Sequence, residues 1–281
     1  MSILVVGSLH LDVVINAPHL PALDETVVGQ DVSFVFGGKG GNQAVAAARM
    51  GCTVRFAGRV GSDEFSSTLR QTLTEIGVDI TQLQCDPGPS GMSAAIVDAQ
   101  GGYGAVIVSA ANLNIVADEI ELPKDTKILL LQNEIPEAVN LAVARKAKDI
   151  GAQVWLNAAP ARALSKEFAA MTDLLIVNRV EAEYYADGLS AVETVTTLGG
   201  DGLSFCGKTF DGFDVDVVST HGAGDMFVGA LAGQVAGGAC MTGALEFAQA
   251  AAALHVASNL QDRKSLNQAT VTKFLAAQSR S

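Results

Sequence analysis

A doubly wound, mostly parallel α/β sheet flanked by helices, with a small β-sheet lid, is the fold class this sequence predicts. Three observations predict it. From Lys127 onward, short aliphatic runs alternate with stretches of helical periodicity, the rhythm of a parallel sheet covered on both faces. Hydrophobic residues make up 49% of the 281 positions and charged residues only 17%, enough to bury one large core and too apolar for a disordered chain. Two β-rich segments, 13–36 and 91–108, break the rhythm and read as one small sheet made from separated pieces and laid over the main body. The chain is therefore read as a single α/β domain over 1–281, with those two segments as its lid.

The elements follow in order. Ile3 to Val6 is an aliphatic run ending at Gly7, a buried strand entering a turn. Thr26 to Phe36 is β-branched and aromatic without helical spacing, and reads as a hairpin or a pair of strands. Asn42 to Met50 is an Ala-rich helix stopped by Gly51. Val54 to Gly58 is a strand, and Ser66 to Ile76 a helix ended by Gly77. Residues 91–108 return to β character around the turn Gln100-Gly101-Gly102. Lys127 to Leu131, Gln153 to Asn157 and Leu174 to Asn178 are strands, with a helix from Pro136 to Ile150 between the first two. Only ten residues, Tyr184 to Glu193, separate Glu183 from the next strand, Thr194 to Leu198. A parallel crossover needs about a dozen, so either the helix there is a single turn or the two strands meet antiparallel.

A net charge of −12 leaves no basic footprint for nucleic acid. No apolar run reaches membrane-spanning length, and the N-terminus lacks the basic and apolar regions of a signal peptide. The reading is a soluble, cytoplasmic protein with no nucleic-acid or membrane partner. Cys52, Cys85, Cys206 and Cys240 are scattered, without metal-ligand spacing, and read as reduced packing residues. His19, His221 and His255 likewise lack metal-ligand spacing. Asp211, Asp214 and Asp216 read as a solvated strand face.

Two stretches carry chemistry. In Ser219-Thr220-His221-Gly222-Ala223-Gly224-Asp225, small residues open a helix, where free N–H groups and the helix dipole favour an anion. A carboxylate in the first turn, beside an anion site, is electrostatically odd unless it takes a proton from a nucleophile, so Asp225 suits a general base. Read alone, the same stretch is also a glycine-rich turn before a capped helix. In Gly37-Gly38-Lys39-Gly40-Gly41-Asn42-Gln43-Ala44, close-approach glycines join a cation and an amide at a second helix start. That set suits a polyhydroxylated ligand, or merely a flexible helix entry.

Together these stretches resemble the two signatures of the ribokinase-like, or PfkB, carbohydrate kinases, and Gly37 to Ala44 is especially similar to the ribokinase branch. The likeness continues in order through nearly the whole chain: Asp12 after the first strand, Glu134 in Gln132-Asn133-Glu134-Ile135-Pro136, the stretch Asn157-Ala158-Ala159-Pro160-Ala161-Arg162, the NxxE pattern Asn178-Arg179-Val180-Glu181, and Thr197-Leu198-Gly199-Gly200-Asp201-Gly202. The resemblance implies an ATP-dependent kinase with Asp225 as base and the Gly222, Ala223 and Gly224 amides as an anion hole. It implies sugar held by His10, Asp12, Gly38, Lys39, Asn42 and Glu134. It puts ATP near Asn178, Thr197, Gly199, Gly202 and Gln249, with Mg²⁺ positioned through water by Glu181. Ribose, converted to ribose 5-phosphate, is the first choice of substrate. The alternatives are another furanose or a nucleoside, and a non-catalytic ligand-binding protein on the same scaffold. A homodimer through the lid is also implied.

The chain departs from the family pattern at four places. His10 stands where Asn is usual. Ser219 replaces an Asp that helps hold a monovalent cation. Gln249 replaces a His or Asn near adenine. The segment from Tyr184 to Glu193 is short. The late loop Asn259 to Ser265 also carries Arg263 and Lys264 and no glycine, which predicts a weakened potassium dependence. Finally, Gly202 to Thr209 fits the P-loop pattern GxxxxGK[ST]. Its middle reads as strand and Phe210 to Asp214 cannot open a helix, so Lys208 is predicted to lie on a hairpin, facing solvent.

Overall fold

Ser2–Val6 (β1) is aliphatic on both faces and wholly buried, as a strand between two helical layers must be. The computed structural model describes residues 2–100, 102–186 and 192–278. After β1 come β2 (His10–Ala17), β3 (Asp31–Gly37), α1 (Lys39–Arg49), β4 (Thr53–Val60), α2 (Glu64–Glu75), β5 (Asp79–Cys85), β6 (Met92–Asp98) and β7 (Tyr103–Val108). The second half runs β8 (Thr126–Gln132), α3 (Glu137–Asp149), β9 (Gln153–Asn157), α4 (Lys166–Met171), β10 (Leu174–Asn178), α5 (Arg179–Tyr185), β11 (Glu193–Thr197), β12 (Leu203–Phe205) and β13 (Lys208–Phe210). It ends with α6 (Ala223–Ala236), α7 (Met241–Val256), α8 (Leu260–Arg263) and α9 (Gln268–Gln278).

The main sheet has the order β13-β12-β11-β10-β9-β8-β1-β4-β5. It is parallel from β11 to β5 and antiparallel at β12 and β13. The alternation of strand side chains divides the core. Ile3 and Val5 join Val45, Phe56, Leu231 and Leu245 on one face. Leu4 and Val6 join Leu129, Val143 and Phe168 on the other. This is the doubly wound architecture expected from the sequence. The contact of α1 with α6 is especially close: a Cβ on Gly229 would sit 2.5 Å from the Ala46 side chain and the Gln43 carbonyl. Glycine there lets two helix backbones touch, and so brings the side chains of Gln43 and Asp225 together.

The second sheet has the order β3-β2-β6-β7 and draws on both β-rich segments. It differs from expectation in detail. Residues 18–30 form no strand, so the hairpin or pair of strands read at Thr26 to Phe36 reduces to β3 alone, while β2 begins earlier, at His10. Pro18, Pro21 and an isolated left-handed Asp24 (φ 63°) keep that stretch out of the ladder.

Between β10 and β11 the pairing is parallel. The crossover helix α5 starts directly at Arg179, so it has room before the short segment; Gly188 and its neighbours 187–191, like Gly101 of the 100–102 turn, lie outside the described residues. β5 was not among the elements read from the sequence; Thr81, Gln82 and Gln84 give it no clear apolar alternation. Lys208 is exposed on the β12–β13 hairpin, as predicted. Asp211, Asp214 and Asp216 are solvated but belong to an irregular stretch, not a strand. The four cysteines are free, yet Cys85, Cys206 and Cys240 are exposed, so packing value belongs to Cys52 alone. No described helix is long and apolar enough to cross a membrane.

Candidate active site

Strand order reverses at β1: β4 and β5 follow on one side, β8 to β11 on the other. Chains leaving neighbouring strands in opposite directions open a crevice at the carboxyl ends, which is where such sheets bind ligands. Here the turn after β1 (Gly7 to Leu9), the turn after β8 (Asn133 and Glu134) and the starts of α1 and α6 converge. A cleft of about 1120 Å³ opens over them. The four-stranded sheet forms its roof, through Asp12, Val14, Val35, Ser93, Ala95, Val97 and Ile107.

Asp225 lies in the first turn of α6, after Gly222 (φ 77°), and is buried against α1. Its Oδ2 accepts from Asn42 Nδ2 (3.0 Å) and its Oδ1 from Gln43 Nε2 (3.0 Å). Gln43 is itself fixed. Its Nε2 also donates to Asn157 Oδ1 (3.0 Å), and its Oε1 accepts from Gln132 Nε2 (2.8 Å). Burial pushes the Asp225 carboxyl above the usual carboxylate range, with Glu134 adding to the rise; the Lys39 charge and the two amide donors hold it back. A base drawn toward neutrality takes a proton more readily at working pH than an ordinary carboxylate. Of the three small-residue amides, Ala223 N–H is spent on Thr220 O (3.2 Å). Those of Gly222 and Gly224 make no hydrogen bond among the described residues and remain for an anion.

The other expected sugar contacts line the same cleft: His10, Asp12, Gly38, Lys39, Asn42 and Glu134. Glu134 Oε2 accepts from the Ser8 hydroxyl and from Lys39 N–H (2.8 Å). Asp12 Oδ1 accepts from Ser93 Oγ (2.6 Å), across the roof strands. His10 is 4% exposed and its Nε2 has no partner. A buried polar nitrogen left unpaired on a cleft wall is a ready contact for a ligand hydroxyl. The Lys39 charge bears on both Asp225 and Glu181, so it stands between the two halves of the site.

The expected nucleotide residues are placed differently. None of Asn178, Thr197, Gly199, Gly202 and Gln249 lines that cleft; they sit at the ends of β10 and β11 and beyond. Asn178 caps α5: its side chain accepts from Glu181 N–H (2.9 Å), and Glu181 Oε2 accepts from Asn178 N–H (2.8 Å), a reciprocal capping box. Thr197 Oγ1 donates to Val177 O (3.3 Å). Gly202 (φ 99°) packs backbone on backbone, since a Cβ there would fall on the Phe210 carbonyl. Gln249 Nε2 donates to Phe210 O (3.4 Å) and Asp211 O (3.3 Å), so its amide straps α7 to the β13 loop. Gly199 (φ 64°) has open space beside it.

Ser219 lines the cleft, its hydroxyl accepting from His221 N–H (3.4 Å). The Glu181 side chain is buried, and desolvation pushes its carboxyl up. Ser8, Gln43, Gln132 and Asn157 hold the functional groups but escape sequence reading as such. The available signal was an amide beside a quoted motif at each of three strand or helix ends.

A buried carboxylate, free helix-start amides and a cleft at a switch point, polar on its floor, suit a site for moving an anionic group onto a hydroxylated ligand. Residues 1–265 match the profile of the pfkB family of carbohydrate kinases, and the chain belongs to that family. It is similar to a ribokinase of Haemophilus influenzae, 35% identical, over 90% of this chain and 91% of the relative. It is also similar to a ribokinase of Bacillus subtilis, 33% identical, over 92% and 93%. The fold matches that of Arabidopsis thaliana ribokinase complexed with ribose and ATP, at a TM-score of 0.89 and 27% identity over 98% of both chains.

Proposed function

We propose that the protein transfers the γ-phosphoryl group of ATP to a hydroxyl of ribose, giving ribose 5-phosphate and ADP. The observation that carries the reading is the buried Asp225 carboxylate, held at both oxygens by Asn42 and Gln43 in the same cleft as Asp12 and Glu134. Two carboxylates and the free His10 nitrogen suit several vicinal hydroxyls, as on a small free sugar. With sugar bound there, Asp225 accepts the hydroxyl proton while that oxygen bonds to the γ-phosphorus and the bond to the ADP oxygen breaks. The Gly222 and Gly224 amides, with Lys39, offset charge on the transferring group.

ATP is assigned to the groove along the ends of β10 and β11, near Asn178, Thr197 and Gly199. Among the described residues no group of three or more His, Cys, Asp or Glu could hold a metal alone. A single buried carboxylate, Glu181, fits Mg²⁺, which is held chiefly by phosphates and keeps several waters. When bound, Mg²⁺ neutralises phosphate charge; Glu181 would reach it through water. The roof sheet acts as a lid that keeps water from the γ-phosphate.

Incubation with Mg-ATP and a panel of sugars and nucleosides, scored by ADP release, tests the assignment. Ribose should give the highest kcat/KM; a nucleoside in first place would move the substrate class, and no turnover with any acceptor would overturn it. The same sheet is assigned to homodimerisation, because Val32, Phe34 and Val106 are more than half exposed on it. Sedimentation should give a dimer that Phe34→Glu with Val106→Glu splits; a wild-type monomer at micromolar concentration would reject the assignment.

A further inference from the structure

We infer that Arg263 is a tethered cation: its guanidinium supplies the positive charge that a bound alkali ion would bring to the loop before α6, and frees the reaction from potassium. The inference rests on the kinase reading above. Arg263 is 7% exposed. Its four hydrogen bonds all go to main-chain carbonyls of two segments: Nη2 to Ser219 O (2.6 Å), Nη1 to His221 O (3.1 Å), and Nε to His255 O (2.9 Å) and Ser258 O (3.1 Å). No carboxylate among the described residues pairs with it. A buried arginine ordinarily has such a partner. Here the compensation comes from carbonyl dipoles alone, as it does for a dehydrated alkali ion in a cage of carbonyl oxygens.

Two further observations agree. Ser219, a neutral residue, stands on the loop side of this cage, so a carboxylate that would have drawn in a free cation is missing and the arginine is spared an ion pair. His255 Nε2 meets the same His221 carbonyl at 2.9 Å. That oxygen therefore already takes two partners and has no lone pair left for a metal ion. The cage is also held from behind. Asn259 caps α8 by accepting from Gln261 and Asp262 N–H (2.9 Å each), and Arg49 Nη1 donates to Arg263 O (3.0 Å).

The link to the reaction is the geometry of one peptide group. In a planar trans peptide, C=O and N–H point in opposite directions. Drawing the His221 carbonyl onto Arg263 therefore aims the Gly222 N–H away from it, as one of the two free amides at the start of α6. Arg263 is thus a positioning residue: it borders the cleft, but its hydrogen bonds go to main-chain carbonyls, and it acts by setting the direction of an amide that meets the transferring group.

Rates with Mg-ATP and ribose in potassium, sodium and choline chlorides at equal ionic strength test the idea, for wild type and for Arg263→Met, which keeps bulk and loses charge. Wild-type kcat should vary less than about three-fold among the salts, while Arg263→Met should lose about a hundred-fold in choline, on the scale of a displaced oxyanion donor. Its KM for ribose should change little, and potassium should restore at least about ten-fold of its kcat, a transition-state effect of roughly 1.4 kcal/mol.

Melting temperature needs no substrate, so it separates this inference from the kinase assignment: potassium should raise that of Arg263→Met and leave wild type unmoved. A wild-type rate raised more than about ten-fold by potassium overturns the inference. So does a variant that loses equally in every salt, or one whose melting ignores potassium. If Arg263→Met folds only in potassium the inference stands; if it folds in neither salt the inference falls. A wild type inactive on every sugar would remove the kinase reading and leave the melting test intact.

Discussion

The floor and the roof of the cleft are built on opposite plans. On the floor, side chains from four parts of the chain form one hydrogen-bonded line: Gln132 to Gln43, then Gln43 to both Asn157 and Asp225, with Asn42 closing on the far oxygen. The roof is a thin sheet with apolar Val14, Val35, Ala95, Val97 and Ile107 facing inward, and one polar tie, Asp12 to Ser93. A base must be aimed before the substrate arrives, so the floor is preorganised. A cover must admit the substrate and then exclude water, so its contacts are few and forgiving. The difference teaches that losses on the floor should appear in kcat and losses on the roof in KM.

The largest effect tests the floor at its end point. Asp225→Asn should lower kcat by about 10²–10⁴-fold, the scale of a lost general base, with ribose binding kept. A variant within a few-fold of wild type would remove Asp225 from the chemistry. On the proposed reading the same residue should set the acid side of the pH profile. Its carboxyl must be ionised to accept a proton, and burial raises its pKa, so kcat/KM should fall with decreasing pH at a higher pH than an ordinary carboxylate would give. Stability carries the opposite sign. A raised folded-state pKa favours the protonated form, so the ionised group costs stability once pH rises through that value. At neutral pH, Asp225→Asn should therefore melt no lower than wild type.

The next pair sets floor against roof directly. Gln43→Met removes the tie between Asp225 and β8 while keeping side-chain volume. It should lower kcat by roughly ten-fold, and stability by roughly 1–3 kcal/mol from the unpaired amides of Gln132 and Asn157. Asp12→Ala should instead raise the ribose KM by about ten-fold or more, from a lost charge-assisted hydrogen bond, with kcat nearly kept. If Asp12→Ala falls mainly in kcat and Gln43→Met mainly in KM, the division fails. The smallest effect concerns a residue in neither region: Lys208→Ala should leave the KM for ATP unchanged, and a rise near ten-fold, about 1.4 kcal/mol, would restore the P-loop reading.

What could be read from the sequence follows the range of the forces involved. Strand and helix identities come from periodicity within about ten residues, and both glycine-rich helix starts announce themselves locally. β5 was missed because an outer strand carrying Thr81, Gln82 and Gln84 has no apolar alternation to show. Gln43 and Arg263 stand in stretches the sequence singles out, but their partners do not show there. Gln43 meets Asp225 across 182 positions and Arg263 meets Ser219 across 44, and no local signal announces either contact. Gln249, expected beside the nucleotide, gives its amide to the carbonyls of Phe210 and Asp211, contacts that are fixed only once α7 docks on the hairpin and that no local pattern shows. The parallel crossover between β10 and β11 was ambiguous by length alone, and resolves because α5 begins without any connecting loop.

The position of Lys208 has a consequence for life in a crowded solution. β13 is the outermost strand on its side of the nine-stranded sheet, and only three residues long. An unpaired strand edge is a template on which other chains can add strands and aggregate. A short edge that carries an exposed lysine resists such addition, because a stacked copy would set ammonium groups beside one another and gain few backbone bonds. The lysine that imitates a phosphate-binding motif thus stands guard over the margin of the sheet, and replacing it should be felt in the shelf life of concentrated protein before it is felt in turnover.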